Sequence, residues 1–172
     1  LGQAIFERWG RLDILVGNAG LLGQLGPIGH VKPDAWTEIL DVNVTANWRL
    51  IRSMDPLLRI APHGRAVFIS SGAARNIRAY WGPYSITKAA LEALAKSYAA
   101  ELVETNVRVN LFNPGPIRTA MRAKAMPGED PMTLPAPEDA ARALVELCLP
   151  ACDAQGEIFD FVDGAIRRRT GS

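Results

Sequence analysis

Leu12-Asp13-Ile14-Leu15-Val16-Gly17-Asn18-Ala19-Gly20 is the stretch on which the fold turns. Its apolar, β-branched run reads as a strand, and the Gly-Asn-Ala-Gly that follows reads as a tight loop at the strand's carboxyl end. Upstream, residues 1–9 read as an amphipathic helix stopped by Gly10. Downstream the period becomes helical. Trp36, Ile39, Leu40, Val44, Leu50, Ile51, Met54 and Leu58 form one stripe across residues 34–60, with Asp34 placed to cap it. Asn43 falls on the apolar side of that helix, where a polar side chain must find a partner.

The alternation then repeats. Ala66-Val67-Phe68-Ile69 reads as a short buried strand, and residues 84–104 as a second long helix with Leu91, Leu94, Tyr98 and Leu102 on one face. Val107 to Phe112 is the next strand, residues 137–149 a further helix, and Glu157 to Phe161 a last strand. Strands alternating with helices predict an α/β parallel sheet with right-handed crossovers and helices on both faces. Ligands of such sheets bind outside the carboxyl ends of the strands. Those ends are Gly17-Asn18-Ala19-Gly20, Ser70-Ser71 and Asn113-Pro114-Gly115.

Composition narrows the function classes. The 172 residues carry 19 Lys plus Arg against 18 Asp plus Glu, so no strong field calls for nucleic acid. No run approaches the length of a membrane span and no secretory signal is visible, which predicts a cytoplasmic protein without a membrane partner. Cys148 and Cys152, spaced i, i+4 in a helical segment, read as free buried thiols. With only His30 and His63 beside them they make no metal-ligand set. The basic run Arg167, Arg168, Arg169 reads as a solvated tail, with a phosphate contact as the alternative.

Chemistry concentrates at the strand ends. Tyr84 and Lys88 stand four apart at the start of a helix and share one face. A free Tyr, with a pKa of about 10, is a poor base at neutral pH. A neighbouring ammonium and the helix N-terminus both favour the phenolate and should lower that value. Ser71, at the end of an apolar strand, could donate a hydrogen bond to a substrate carbonyl oxygen. Ser70 competes for that role, since alternation along the strand lets only one of the two point inward.

Asn18-Ala19-Gly20, Asn43, Ser71, Tyr84-Ser85-Ile86-Thr87-Lys88 and Asn113-Pro114-Gly115 with Thr119 follow the order and spacing of the short-chain dehydrogenase/reductase family, which this chain resembles over nearly its whole length. The resemblance implies an NAD(P)-dependent oxidoreductase that interconverts a secondary alcohol and a ketone or related carbonyl. Tyr84 would be the general acid/base, Lys88 would lower its pKa and hold the nicotinamide ribose, and Ser71 would orient the carbonyl. Asn43 would hold a water linking Lys88 to solvent. Asn18, Ala19 and Gly20 would pack beside the cofactor, with Asn18 bracing the strand, and Pro114, Gly115 and Thr119 would contact the nicotinamide end. The resemblance also suggests a homodimer or homotetramer through helices 34–60 and 84–104.

Two departures stand out. The family usually has Asn where this chain has Gly17, which reads as a mild change. The larger one is that no Gly-rich, phosphate-cradling turn precedes Asn18. Residues 1–172 are therefore expected to be a single Rossmann-like domain that lacks its N-terminal dinucleotide-phosphate-binding part. Such a sheet keeps the last four strands, leaves Leu12–Val16 as a bare apolar edge, and carries no segment to choose between NAD and NADP. The alternative reading is a truncated, non-catalytic relative acting as a structural or partner-binding subunit. The small-molecule pocket is expected between Ala73–Trp81 and a lid at Thr119–Pro135. Arg75, Arg78, Arg122 and Lys124 hint at an anionic or polar substrate, and Tyr80 and Trp81 offer an apolar wall.

Overall fold

The structure, a computed structural model, describes residues 1–170; Gly171 and Ser172, the end of the expected domain, lie outside them. Helix α1 (Gly2–Trp9) ends at Gly10, whose N–H reaches the Phe6 carbonyl and whose left-handed φ of 71° turns the chain out of the helix. Strand β1 (Ile14–Gly17) leads to helix α2 (Pro33–Leu40), a π-turn (Asp41–Thr45) and helix α3 (Ala46–Ile60). The expected helix 34–60 is thus continuous but widened at Asn43. Lys32 is its N-cap, and Asp34 sits inside the first turn rather than capping it.

Strand β2 (Arg65–Ile69), helix α4 (Gly82–Glu101), strand β3 (Arg108–Asn113), helices α5 (Ala120–Ala125) and α6 (Pro137–Cys148), and strands β4 (Ile158–Val162) and β5 (Ala165–Arg168) complete the chain. The five strands lie in the order β1-β2-β3-β4-β5. The first four are parallel, and β5 folds back antiparallel to β4. This is the α/β, Rossmann-like sheet that the sequence predicts, with one strand more.

Side chains alternate through the sheet and divide the core in two. Ala66, Phe68, Val109, Leu111 and Ile158 face α3 and α4, meeting Met54, Leu58, Leu91, Ala95 and Leu102. Val67, Phe112, Phe159 and Phe161 face the other way and meet Ala140, Ala143 and Leu147 of α6. This corrects the expectation of uniformly right-handed crossovers. The connections through α4 and through α6 step the same way across the sheet but lie on opposite faces, so they have opposite hands. Residues 114–136 carry the chain over the carboxyl ends of the strands between the two faces.

β1 pairs with β2 alone among the described residues, and Ile14 and Val16 on it are 44% and 37% exposed. No helix among those residues is long and apolar enough to cross a membrane. The basic run is not a loose tail. Arg167 and Arg168 belong to β5, and Arg167, Arg168 and Arg169 pair with Asp163, Glu157 and Asp160, so the phosphate-contact alternative loses its free cations. Cys148 ends α6 and is buried, whereas Cys152 lies beyond the helix and only half-buried.

Candidate active site

Three strand ends converge, as the sequence predicts. Ser70 and Ser71 follow β2 and point to opposite sides. The Ser70 hydroxyl donates to Glu92 of α4 at 2.6 Å in a buried contact. The Ser71 hydroxyl accepts from the Ala73 N–H at 3.2 Å and lies on the side of the Tyr84 phenol, close enough to favour its phenolate. Backbone alternation therefore selects Ser71 for the cleft.

Tyr84 is the third residue of α4, whose first turn carries Pro83, a residue pre-set for a helix start. The Tyr84 ring is 8% exposed and packs with Leu22 and Ile39, and Trp81 meets it edge-on at 6.2 Å between centroids. One turn later, Lys88 extends past that ring, with Nζ 5.8 Å from its centroid, and donates to the Ile69 carbonyl at 2.7 Å.

Burial governs both titrating groups. It pushes the Lys88 ammonium down from 10.5 to about 8. It pushes the Tyr84 phenol up from 10.0, and the neighbouring Ser71 hydroxyl recovers only part of that rise. The expected lowering of the tyrosine by Lys88 is overturned for this structure. Desolvation disfavours the phenolate more than a partly neutralised amine nearly 6 Å from the ring can favour it.

A stability prediction follows from Lys88. The unfolded chain holds this proton up to about pH 10.5 and the folded chain releases it near pH 8. The burden of the buried ammonium is therefore fully present below pH 8 and disappears as pH rises to 10.5. A shift of that size corresponds to about 3 kcal/mol. Lys88→Met, which also loses the Ile69 contact, should stabilise the chain at pH 7 by about 2 kcal/mol in urea unfolding. The gain should fade between pH 8 and 10.5; a gain that stays flat across that range would refute a buried charge at this position.

Asn43 is wholly buried in the π-turn. Its Oδ1 accepts from the Leu21 N–H at 2.7 Å, and its Nδ2 donates to the Leu21 carbonyl and the Thr87 hydroxyl, both at 2.9 Å. The side chain thereby pins the loop after β1 to the start of α4. Its backbone carbonyl accepts from Asn47 Nδ2 at 2.9 Å, which ties the π-turn to the first turn of α3.

The loop residues divide. Gly20 lies against the site, where an added Cβ would stand 3.5 Å from Lys88 Nζ and 3.6 Å from Asn43 Oδ1. Asn18 and Ala19 are exposed, and the buried amide beside β1 is Asn47. Gly115 adopts a left-handed φ of 65°, and Pro114 precedes it half-buried. Thr119 caps α5, its hydroxyl accepting from the Arg122 N–H at 3.2 Å. The cleft bounded by Gly20, Lys88, Tyr84 and Ser71 suits the nicotinamide–ribose end of a dinucleotide: a bare glycine allows close approach beside a cation and two hydroxyls.

The expected substrate wall is more apolar than its arginines suggest. Leu21, Leu25, Ala73, Trp81, Met121 and Ala125 pack around Leu22, Ile39 and Tyr84. Arg75 pairs with Glu92 at 3.1 Å, and Arg122 makes a two-pronged pair with Glu129 at 2.6 Å. Tyr80 is 63% exposed and contributes no wall. Four polar partners escaped the sequence reading: Asn47, Thr87, Glu92 and Asp160. Asn47 had a signal, falling one helical turn after Asn43, and so did Asp160, a carboxylate among the aromatic and apolar residues of Ile158-Phe159-Asp160-Phe161.

Comparison with known proteins places these features in context. The short chain dehydrogenase family matches residues 1–130. An uncharacterized oxidoreductase of Escherichia coli (strain K12), YciK, is 42% identical over 139 residues, 81% of this chain and 55% of YciK. Dehydrogenase/reductase SDR family member 4 of Bos taurus is 41% identical over 111 residues, 64% of this chain and 40% of that protein. A short chain dehydrogenase from Salmonella enterica subsp. enterica serovar Typhi str. CT18 superposes with a TM-score of 0.89 at 38% identity, over 92% of this chain and 66% of its own. A protein of Escherichia coli CFT073 solved in complex with NADPH gives 0.88 at 39% identity, with the same coverages. The chain spans about half the length of the curated relatives it matches.

Proposed function

Because the chain belongs to the short chain dehydrogenase family, we propose that it forms the proton-transfer and substrate-facing portion of an oxidoreductase that interconverts a secondary alcohol and a ketone or related carbonyl with NAD or NADP. The observation that carries this reading is the Ser71–Tyr84 hydroxyl pair held over buried Lys88 at the strand ends. The nicotinamide, when bound, gives or takes the hydride; the protein's share is position and protons.

Ser71 and Tyr84 present two hydroxyls to one carbonyl oxygen and stabilise the charge that develops on it. The raised Tyr84 pKa keeps a proton on the phenol at neutral pH, ready for the nascent alkoxide. In the oxidative direction the same oxygen takes the alcohol proton, helped by Lys88 when charged. Pro114, Gly115 and Thr119 would border the nicotinamide end, and Gly20, Lys88 and Tyr84 would hold the ribose.

The apolar wall and the two paired arginines favour a neutral, lipophilic carbonyl over a keto acid. Aryl alkyl ketones should exceed α-keto acids in kcat/KM by at least about tenfold, the weight of a methylene or two in an apolar pocket plus an unpaired carboxylate. The reverse order in a reduction assay would remove this substrate class. We also propose that a second copy docks along helices 34–60 and 84–104, where Trp48 and Ile86 are 45% and 39% exposed; light scattering of the wild-type chain and of Trp48→Glu tests it.

The second reading is a partner-binding subunit without turnover. Titration with NADH and NADPH separates the two. Saturable binding supports the enzyme, and no binding by the folded chain supports the subunit.

A further inference from the structure

Asp160 lies in the middle of β4, in register with Asn113 at the end of β3. Asn113 Nδ2 donates to Asp160 Oδ1 at 2.8 Å, and Asn113 Oδ1 accepts from the Gly115 N–H at 3.1 Å. On the other side of the carboxylate, Arg169 donates through Nε to Oδ2 at 2.6 Å and through Nη2 to Oδ1. The Arg169 backbone is also fixed, its N–H reaching the Ile158 carbonyl at 2.8 Å. Four groups thus act in series, from just beyond β5 to the turn at Gly115.

The chemistry of the series gives it a direction. An amide presents a donor on one side and an acceptor on the other. Asp160 offers only acceptors, so it dictates that the Asn113 oxygen faces the Gly115 N–H. Arg169 matches both carboxylate oxygens with its planar fork and so fixes the Asp160 rotamer. The turn it steadies is one that glycine permits, with φ at 65°. The same amide borders the residue after Ser71, since a Cβ on Gly72 would stand 3.9 Å from Asn113 Nδ2.

We propose that Arg169 and Asp160 are positioning residues that fix the Asn113–Gly115 turn, and through it the backbone that meets the nicotinamide end of the cofactor. The inference rests on the proposed function for its last step only. The internal control is Arg168, which pairs with Glu157 on the outside of the same strand and is 62% exposed.

The test compares the full chain with Asp160→Ala, Arg169→Met, their double variant and Arg168→Met, by amide hydrogen exchange at Gly115 and by NADPH affinity. Asp160→Ala and Arg169→Met should each speed exchange at Gly115 and weaken NADPH about tenfold, the scale of one charge-assisted hydrogen bond. The double variant should be no worse than Asp160→Ala, because the groups act in series, and Arg168→Met should change neither readout. Arg169→Lys should recover part of the loss. Unchanged exchange at Gly115, or an equal change in Arg168→Met, overturns the coupling. Faster exchange with undiminished NADPH affinity overturns the positioning role. Should the wild-type chain bind no NADPH, the proposed function fails while exchange at Gly115 still decides the coupling.

Discussion

Tyr84→Phe should lower carbonyl reduction by about 10²–10⁴-fold, the range of a positioned general acid, and leave the fold nearly untouched. The ring keeps its contacts with Leu22, Ile39 and Trp81, so only the hydroxyl is lost. That hydroxyl lies beside Ser71, which keeps the Ala73 N–H as its partner. The net stability cost should be about 1 kcal/mol, a few degrees in thermal midpoint for a chain of this size. Affinity for NADPH should persist, because Lys88 and Gly20 are undisturbed. Turnover that survives the substitution would end the assignment of Tyr84 as the proton donor. Loss of turnover together with loss of folding would point to a packing role instead.

Gly17→Ala should destabilise the chain by about 3 kcal/mol, the upper range for forcing atoms into a packed core. A Cβ at Gly17 would stand 2.4 Å from Asn47 Oδ1 and 2.5 Å from Phe68 Cδ1. Neither neighbour is free to yield. Asn47 is buried and held to the Asn43 carbonyl, and Phe68 is wholly enclosed between β1 and the helices. Gly17→Asn, which restores the residue usual in the family, should be no better tolerated. In an Asn47→Ala background the penalty should shrink but not vanish, since the Phe68 contact remains. Urea midpoints of the wild type, the three single variants and the double variant give the answer, and a Gly17→Ala cost below about 0.5 kcal/mol would show that the pocket relaxes freely.

That glycine marks where the sequence stops being legible. Periodicity placed every strand of the parallel sheet and both long helices, because burial on two faces writes itself into spacing. The convergence of Ser71, Tyr84 and Lys88 was legible for the same reason: strand ends and a helix start leave local marks. What stayed hidden was set by contacts distant in sequence. Gly17 looks like a mild departure until Asn47, thirty residues on, is found in the space a side chain would occupy. The arginines at 167–169 look like a tail until β4 supplies a carboxylate partner and a strand to pair with. The direction of the Tyr84 shift depends on how deeply Trp81, Leu22 and Ile39 enclose the phenol, and spacing to Lys88 carries nothing about that depth.

The change of hand between the α4 and α6 connections bears on how this protein can vary. A chain that must reach the far face of the sheet has to travel around its rim, and here the route runs across the strands' carboxyl ends. Met121 and Ala125 join the cluster around Tyr84 because they lie on that route. The cover is therefore a detour before it is a device, and its minimum length is a matter of geometry. Residues added within 114–136 can be absorbed as slack and become new pocket lining. Residues removed would tighten the span until either α6 changed sides or Tyr84 lost its roof. Divergence in what the pocket accepts should accordingly accumulate by lengthening this segment, and seldom by shortening it.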